Sequence, residues 1–292
     1  MSRAQTGTSQ AQPQGFPELQ EAPDVQVGCQ PQDGPAWQGS PQAGLALYQR
    51  IRDYQRQADT CGLGHQADPH GLGHQADPHG LGYAVVDLET TGLEPQDEAI
   101  IEVGVVLLDP HGREQLRWDS LVNPHRHPGP TRIHGITPDD LTNTPELGTL
   151  APGLVELLRG RVLVAHNIRF DASFLLPALR LELGTAALPR KIPQVCTMNW
   201  ARSFIDTPSR SLVRCCQVCG IELASHHRAI DDAAACAQLL NHYLGVIASE
   251  YELFPHGAPW GEQLAKAVQL WQQVPQCESS QVARALQARV GR

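Results

Sequence analysis

The stretch YAVVDLETTG, residues 83–92, joins a short apolar run to two acids and a turn. The run around Val85 and Val86 predicts a buried strand. Asp87 and Glu89, two residues apart, then project from the same face of a sheet. A solvated strand end tolerates such a pair. On a central strand, however, two carboxylates repel each other and lose hydration. A divalent cation relieves both costs, and hard oxygen ligands at this spacing suit Mg²⁺ or Mn²⁺.

The segments that follow set the fold class. AIIEVGVVLLD, residues 99–109, predicts a second buried strand closed by the PHG turn, and EQLRWDSLV a third that completes an antiparallel meander before the loop NPHRHPGP. In TPDDL, Thr137 is placed as N-cap and Pro138 at the first helical position, with acids in the first turn. RVLVAHN, residues 161–167, predicts a strand running into a helix that carries Phe170, Asp171, Phe174, Leu175 and Leu179, with a kink or break at Pro177. A further strand and helix span QVCTMNWARSFI, a helix covers SLVRCCQVCG up to Gly220, and a long helix follows His227. Strands in a meander followed by strands alternating with helices predict an α/β domain over 83–246, a mixed central β-sheet flanked by helices.

Residues 1–82 read as a low-complexity extension, mostly disordered: the first 40 are rich in Gln, Pro and Gly, and GLGHQADPH stands twice in tandem at 62–79. Two copies are too few to stack a solenoid, which leaves a linker expanded by duplication, or a set of His and Asp ligands. Leu47, Tyr48, Ile51 and Tyr54 have helical spacing, so a short amphipathic helix is expected over 43–57. Residues 247–292 form a helical tail with Leu264, Val268 and Trp271 on one face and Val282, Leu286 and Val290 on another, suited to packing back on the domain or to docking a partner. Eight cysteines lack the regular framework of a small secreted domain. With no leader pattern and no run near the roughly 18 apolar residues of a membrane span, a soluble cytoplasmic protein is expected. The net charge of −9 argues against a broad basic nucleic-acid footprint but not a local one.

Asp171 stands one turn into its helix, and Asp231 and Asp232 in the first turn of another, where an acid gains about 0.3–1 kcal/mol from the helix dipole. Taken together the segments do more. DLETTG at 87–92, HN-x-x-FD at 166–171 and H-x-A-x-x-D-A at 227–233 occur in order. This pattern resembles the DEDDh family of 3′ to 5′ exonucleases in the RNase H-like superfamily, and in particular the epsilon subunits of bacterial DNA polymerase III, over residues 83–246. The related DEDDy branch has a tyrosine where His227 stands, and no tyrosine lies between Gly220 and Asp232.

The resemblance implies an RNase H-like exonuclease fold and two bound Mg²⁺ or Mn²⁺ ions. Asp87 would bridge both ions, Glu89 and Asp232 would help hold the one that carries the attacking water, and Asp171 would hold the second through water. His227 would take the proton from that water, work that suits an imidazole with an ordinary pKa near 6.5. Thr90, Thr91, Gly92 and Leu93 would lie beside the terminal nucleotide, with Leu93 as a wedge. Asn167 would cap its helix while lining the groove, His166 would share that mixed character, and His134 in the loop RIHGIT would reach the substrate. The implied function is release of nucleoside 5′-monophosphates from 3′ ends of DNA, with RNA as the other polymer and a DNA polymerase as a possible partner. The alternatives are an RNA-trimming exoribonuclease and a non-catalytic nucleic-acid-binding or polymerase-docking module. Residues 83–244 hold 14 Lys plus Arg and 19 Asp plus Glu, so loading the four ligand acids with two divalent ions removes most of the barrier to a polyanion. Cys216 and Cys219, near His226 and His227, allow a zinc reading or plain core packing.

Two doublets, His226–His227 and Asp231–Asp232, are expected to be unequal, because the H-x-A-x-x-D-A register selects His227 and Asp232. His227→Ala should cost roughly 10²–10⁴ in rate, the usual worth of a general base. Asp232→Ala should be comparably severe, and His226→Ala and Asp231→Ala mild. The measurement is mononucleotide release from 3′-labelled DNA; equal losses within either doublet refute the register.

Overall fold

A computed structural model describes residues 81–223, 227–251 and 261–291 of the chain. The N-terminal extension with its repeat, the helix expected over 43–57, and His226 lie outside the described residues.

Among the described residues five strands form: β1 (Tyr83–Thr90), β2 (Ile100–Leu108), β3 (Glu114–Leu121), β4 (Val162–Ala165) and β5 (Gln194–Cys196). They lie in the order β3-β2-β1-β4-β5. The first three pair antiparallel as a meander, while β4 runs parallel to β1 and β5 parallel to β4. This is the expected mixed sheet. Every residue of β2 is buried, as a strand covered on both faces requires, whereas β3 mixes exposed and buried positions at the sheet edge.

Helices cover both faces. In chain order they are α1 (Thr131–His134), α2 (Pro138–Leu141), α3 (Leu147–Leu158), α4 (Ile168–Leu183), α5 (Thr197–Phe204), α6 (Leu212–Val218), α7 (Ala229–Tyr251), α8 (Gly261–Trp271) and α9 (Ser279–Gln287). The two-residue period of β1 divides the core. Ala84, Val86 and Leu88 pack with α3, α4 and α9 on one face. Tyr83 and Val85 pack with α5, α6 and α7 on the other. Asp87 and Glu89 continue the second row, so the acids of β1 lie on the face that α7 covers.

Gly104 on β2 pairs with Asp87 and sits under the start of α7. A Cβ at this position would collide with the Ala229 carbonyl and the Ile230 nitrogen. The missing side chain lets the helix end rest on the sheet.

Thr137 caps α2 as expected, accepting the Asp140 N–H while Asp140 accepts the Thr137 N–H at 2.7 Å. The helix it starts is a single turn, and the longer α3 begins at Leu147. Pro177 does not break α4, which continues through it as one 16-residue helix. Burial of Phe174, Leu175, Leu176 and Leu179 on either side offsets the lost backbone bond.

The C-terminal tail packs back on the domain. Val282 and Leu286 of α9 are buried against α3, where a Cβ on Gly153 would stand 3.0 Å from Leu286. The indole N–H of Trp118 donates to the Leu286 carbonyl at 3.3 Å. The Leu121 N–H donates to the Val290 carbonyl at 2.7 Å, so the chain end covers part of the β3 edge. Arg159, ion-paired to Glu156 at 2.9 Å, lies 5.0 Å from the centre of the Trp271 ring and donates to the carbonyls of Val274 and Pro275. Helix α7 runs to Tyr251, past the boundary expected at 246. Among the described residues no helix is long and apolar enough to cross a membrane.

If the tail is part of the core, Leu286→Ala should lower the unfolding free energy by about 2–5 kcal/mol, as for other fully buried leucines. Urea titration measures it, and a loss below about 0.5 kcal/mol, typical of a surface site, would contradict the packing described.

Candidate active site

The last β1–β4 pair is Val85 with Val164. Beyond it the parallel strands part, and their carboxyl ends open the kind of crevice in which α/β sheets bind ligands. Asp87 and Glu89 enter it from β1, Asp171 from the first turn of α4, and Asp232 from the first turn of α7. The carboxyl of Asp171 is 4% exposed and accepts the backbone N–H groups of Leu88 and of its own residue, yet burial outweighs these bonds and raises its pKa to about 8. Asp87 is pushed well above the usual carboxylate range, first by burial and then by the charges of Asp171, Asp232, Glu89 and Glu102. The four acids expected to act together are therefore neighbours.

His227 joins them. One ligand atom each from Glu89, His227 and Asp232 lies within 4.8 Å of the others. The His227 backbone has φ 67°, a left-handed conformation uncommon for a residue with a Cβ. Next to it, the Arg228 carbonyl accepts the N–H groups of Asp231 and Asp232 at 3.0 Å each, which starts α7. Asp231 faces the Arg228 guanidinium at 3.9 Å.

A fifth acid was not anticipated. Glu102 of β2 pairs with Glu89, is fully buried, and accepts the Ala229 N–H at 3.1 Å through Oε2. The signal available in the sequence was an acid interrupting the apolar run IIEVGVVLL, two residues before a glycine.

These donors fit a divalent cation. Carboxylate oxygens predominate, as hard cations prefer, and the burial that, together with neighbouring like charge, raises the pKa of Asp87 and Asp171 is what a bound cation would offset. The cysteines are not part of such a group: the one grouping of metal-ligating side chains among the described residues is Glu89, His227 and Asp232. Cys216 is free and buried, with its thiol pushed up to about 12 by burial and by neighbouring Cys215, Cys219 and Asp232.

The substrate-side residues differ in what they present. The hydroxyl of Thr90 donates to the Gly92 carbonyl at 2.6 Å; that of Thr91 donates to Glu98 and accepts the Ala99 N–H at 2.9 Å. Both hydroxyls thus shape the turn. A Cβ on Gly92 would meet the Glu98 carboxyl at 2.7 Å. Leu93 is 78% exposed at the rim. His134 is 2% exposed, its Nδ1 accepting the Ile136 N–H, so the ring lies inside its loop and neighbouring Ile133 is the exposed group.

Asn167 precedes α4 but its side chain makes no capping bond; its carbonyl accepts the Phe170 N–H at 2.8 Å. With φ −125° and ψ 69° the residue leaves its exposed side chain outside the helix end. His166 is buried, and Nε2 lies 2.8 Å from the Arg210 carbonyl, which can only accept; Nε2 therefore carries the proton. Nδ1 then accepts from the Thr197 hydroxyl at 3.0 Å. Burial lowers the pKa of this ring, so it is a neutral strut between β4 and the segment before α6.

The raised carboxyls make a signed prediction. An acid whose folded pKa is raised contributes stability below its unfolded value that is lost as pH rises through the folded one. Metal-free protein should lose stability from near pH 4 up to about pH 8, the interval set by the ordinary aspartate value and that of Asp171. Mn²⁺ or Mg²⁺ should raise the melting temperature, and more at pH 8 than at pH 5, because binding must displace protons. Calorimetric melts with metal and with chelator read this; an increment independent of pH contradicts it.

Comparison with known proteins agrees with the geometry. The profile of the RNase T family, described as Exonuclease, matches residues 84–240. A 162-residue stretch is 33% identical to the DNA polymerase III subunit epsilon of Treponema pallidum, covering 54% of this chain and 74% of that one. Another match, 32% identical over 164 residues, is to the PolC-type DNA polymerase III of Thermotoga petrophila, covering 56% of this chain and only 12% of that much longer protein. Among solved structures, E. coli exonuclease I in complex with a dT13 oligonucleotide superposes with a TM-score of 0.52 at 16% identity, over 59% of this chain and 42% of that one. The last likeness bears on the fold, which is the RNase H-like exonuclease fold. Through residues 84–240, the chain belongs to the RNase T exonuclease family, with bacterial DNA polymerase III proteins among its relatives.

Proposed function

We propose that the protein is a metal-dependent 3′ to 5′ exonuclease that hydrolyses phosphodiester bonds at DNA 3′ ends and releases nucleoside 5′-monophosphates. The observation that carries this reading is the convergence of Asp87, Glu89, Asp171, Asp232 and His227 at one crevice. Two divalent cations, Mg²⁺ or Mn²⁺, held by the four acids would supply an activated water, a stabilised leaving oxygen and neutralised phosphate charge.

The chain's own groups do the rest. His227 is exposed and its ring nitrogen faces Glu89 and Asp232, so it takes the proton of the attacking water at that nitrogen. Thr90 and Thr91, tied to Gly92 and Glu98, hold the turn that presents Leu93 at the rim, where the apolar side chain packs against the terminal base. Asn167 offers an uncommitted amide at the mouth of the crevice for a phosphate or sugar oxygen. His134 acts through its loop, since its ring is buried. DNA is favoured because the relatives are DNA polymerase III proteins and the superposed exonuclease I was solved with a DNA oligonucleotide. The same relatives support a DNA polymerase as partner.

The test is incubation of the full chain with 3′-labelled single-stranded DNA and RNA in Mg²⁺, Mn²⁺ or chelator. Mononucleotides should appear from DNA with metal and not with chelator. Asp87→Ala should cost about 10³-fold or more, the rate equivalent of several kcal/mol of charge stabilisation. No metal-dependent release from either polymer overturns the reading, and activity that survives Asp87→Ala overturns the site.

A further inference from the structure

Glu102 has no part in the mechanism above, yet among the described residues it is the one fully buried carboxylate, at 0% exposed. It is fully buried on the α7 side of β2, directly opposite Glu89, and its Oε2 accepts the N–H of Ala229 at 3.1 Å. Ala229 opens α7. The first N–H groups of a helix have no partner within it, and a cap residue with a short polar side chain normally supplies one. The residue before α7 is Arg228, which lacks such a side chain. The partner for Ala229 comes instead from a strand 127 residues earlier in the chain.

The location of this bond matters. His227 stands two residues before Ala229 and Asp232 three after it. Two residues on from Glu102, on the same face of the strand, Gly104 allows the Ala229 carbonyl and Ile230 nitrogen to touch β2. Steric contact at Gly104 sets how close the helix end approaches, but it does not set rotation about the helix axis. A directional hydrogen bond to the first N–H does. His227 is held at φ 67°, which must be sustained by constraints on either side.

We propose that Glu102 is a positioning residue, which by anchoring the first N–H of α7 to the sheet fixes His227 and Asp232 in register with Asp87 and Glu89. The proposal rests on the exonuclease reading for its kinetic consequences but not for its structural ones. Its role is to accept a hydrogen bond at full side-chain reach. An amide oxygen at the same distance serves; a carboxylate one methylene shorter does not.

Three variants of the full chain separate these requirements. Glu102→Gln keeps the acceptor and loses the charge, Glu102→Asp keeps the charge and loses the reach, and Glu102→Ala loses both. Supporting groups behind metal ligands usually matter 10- to 100-fold, so Glu102→Asp and Glu102→Ala should weaken Mn²⁺ binding and lower kcat by roughly 10-fold or more, with KM for the oligonucleotide little changed. Glu102→Gln should stay near the parent protein in both. Amide hydrogen exchange at Ala229 should accelerate in the first two variants and not in Gln.

Leu286→Ala, which loosens the core away from the crevice, should leave Mn²⁺ affinity and kcat at parent values and so controls for lost stability. If Glu102→Ala does not fold, the Gln and Asp pair decides alone. Parent-like Mn²⁺ affinity and Ala229 exchange in Glu102→Asp overturn the proposal, as does a Gln variant as impaired as Asp. A parent protein that neither binds Mn²⁺ nor hydrolyses DNA overturns the exonuclease reading, while the exchange at Ala229 still reports on the anchor.

Discussion

Mutual repulsion among carboxylates is the constraint around which this domain is built. Asp87, Glu89, Glu102, Asp171 and Asp232 share the mouth of a crevice at the end of β1, and burial with crowding holds at least two of them well above the usual carboxylate range. Left to itself a chain would part such groups. Here the backbone prevents it: Leu88 and Asp171 donate N–H groups to one acid, Ala229 to another. Two helices start at the crevice, so the positive ends of α4 and α7 also face it.

Holding like charges together requires a rigid surround, and the two sheet faces divide that task. On the face of Ala84, Val86 and Leu88, helices α3, α4 and α9 close over an apolar layer, with Asp171 of the proposed catalytic acids at its margin. The tail strengthens this side through Leu286, Trp271 and the buried Arg159–Glu156 pair, and it finishes by covering part of the β3 edge. The opposite face gives up a side chain at Gly104 to admit a helix end against the sheet. A marginally stable fold can carry such a site only if other contacts offset it. The tail adds buried contacts of this kind.

What could be read from residues alone was whatever depends on short-range periodicity. Asp87 and Glu89 share a face because strands repeat every two residues, and Val85 and Val86 mark that strand as central. For Asp171 and Asp232 a place in a first helical turn is by itself explained by the helix dipole; the resemblance to the DEDDh family assigned them to the site, and the structure brings both to β1. One acid interrupting an apolar strand marks Glu102 as unusual but does not tell its role, which arises from the register with Glu89 and from a helix 127 residues away. Asn167 misled for a related reason. The residue type suits a cap, but φ and ψ at a strand-to-helix corner are set by where β4 ends, and they leave the amide outside. Burial of His134 likewise depends on how its loop folds over Ile136, which spacing does not encode.

The left-handed backbone at His227 depends on these same contacts. For a residue with a Cβ this conformation costs on the order of 1 kcal/mol or more. It persists because the chain on its far side has no freedom: Arg228 has given its carbonyl to Asp231 and Asp232, and Ala229 is bound to Glu102 and pressed against Gly104. A relaxed backbone at 227 would have to swing the imidazole away from Glu89 and Asp232, or lift the helix from the sheet. The second course would expose a buried glutamate to the loss of its partner, a penalty larger than the strain it relieves. The anchor at Ala229 thus converts a local backbone cost into the one arrangement in which the imidazole, Glu89 and Asp232 face a common point.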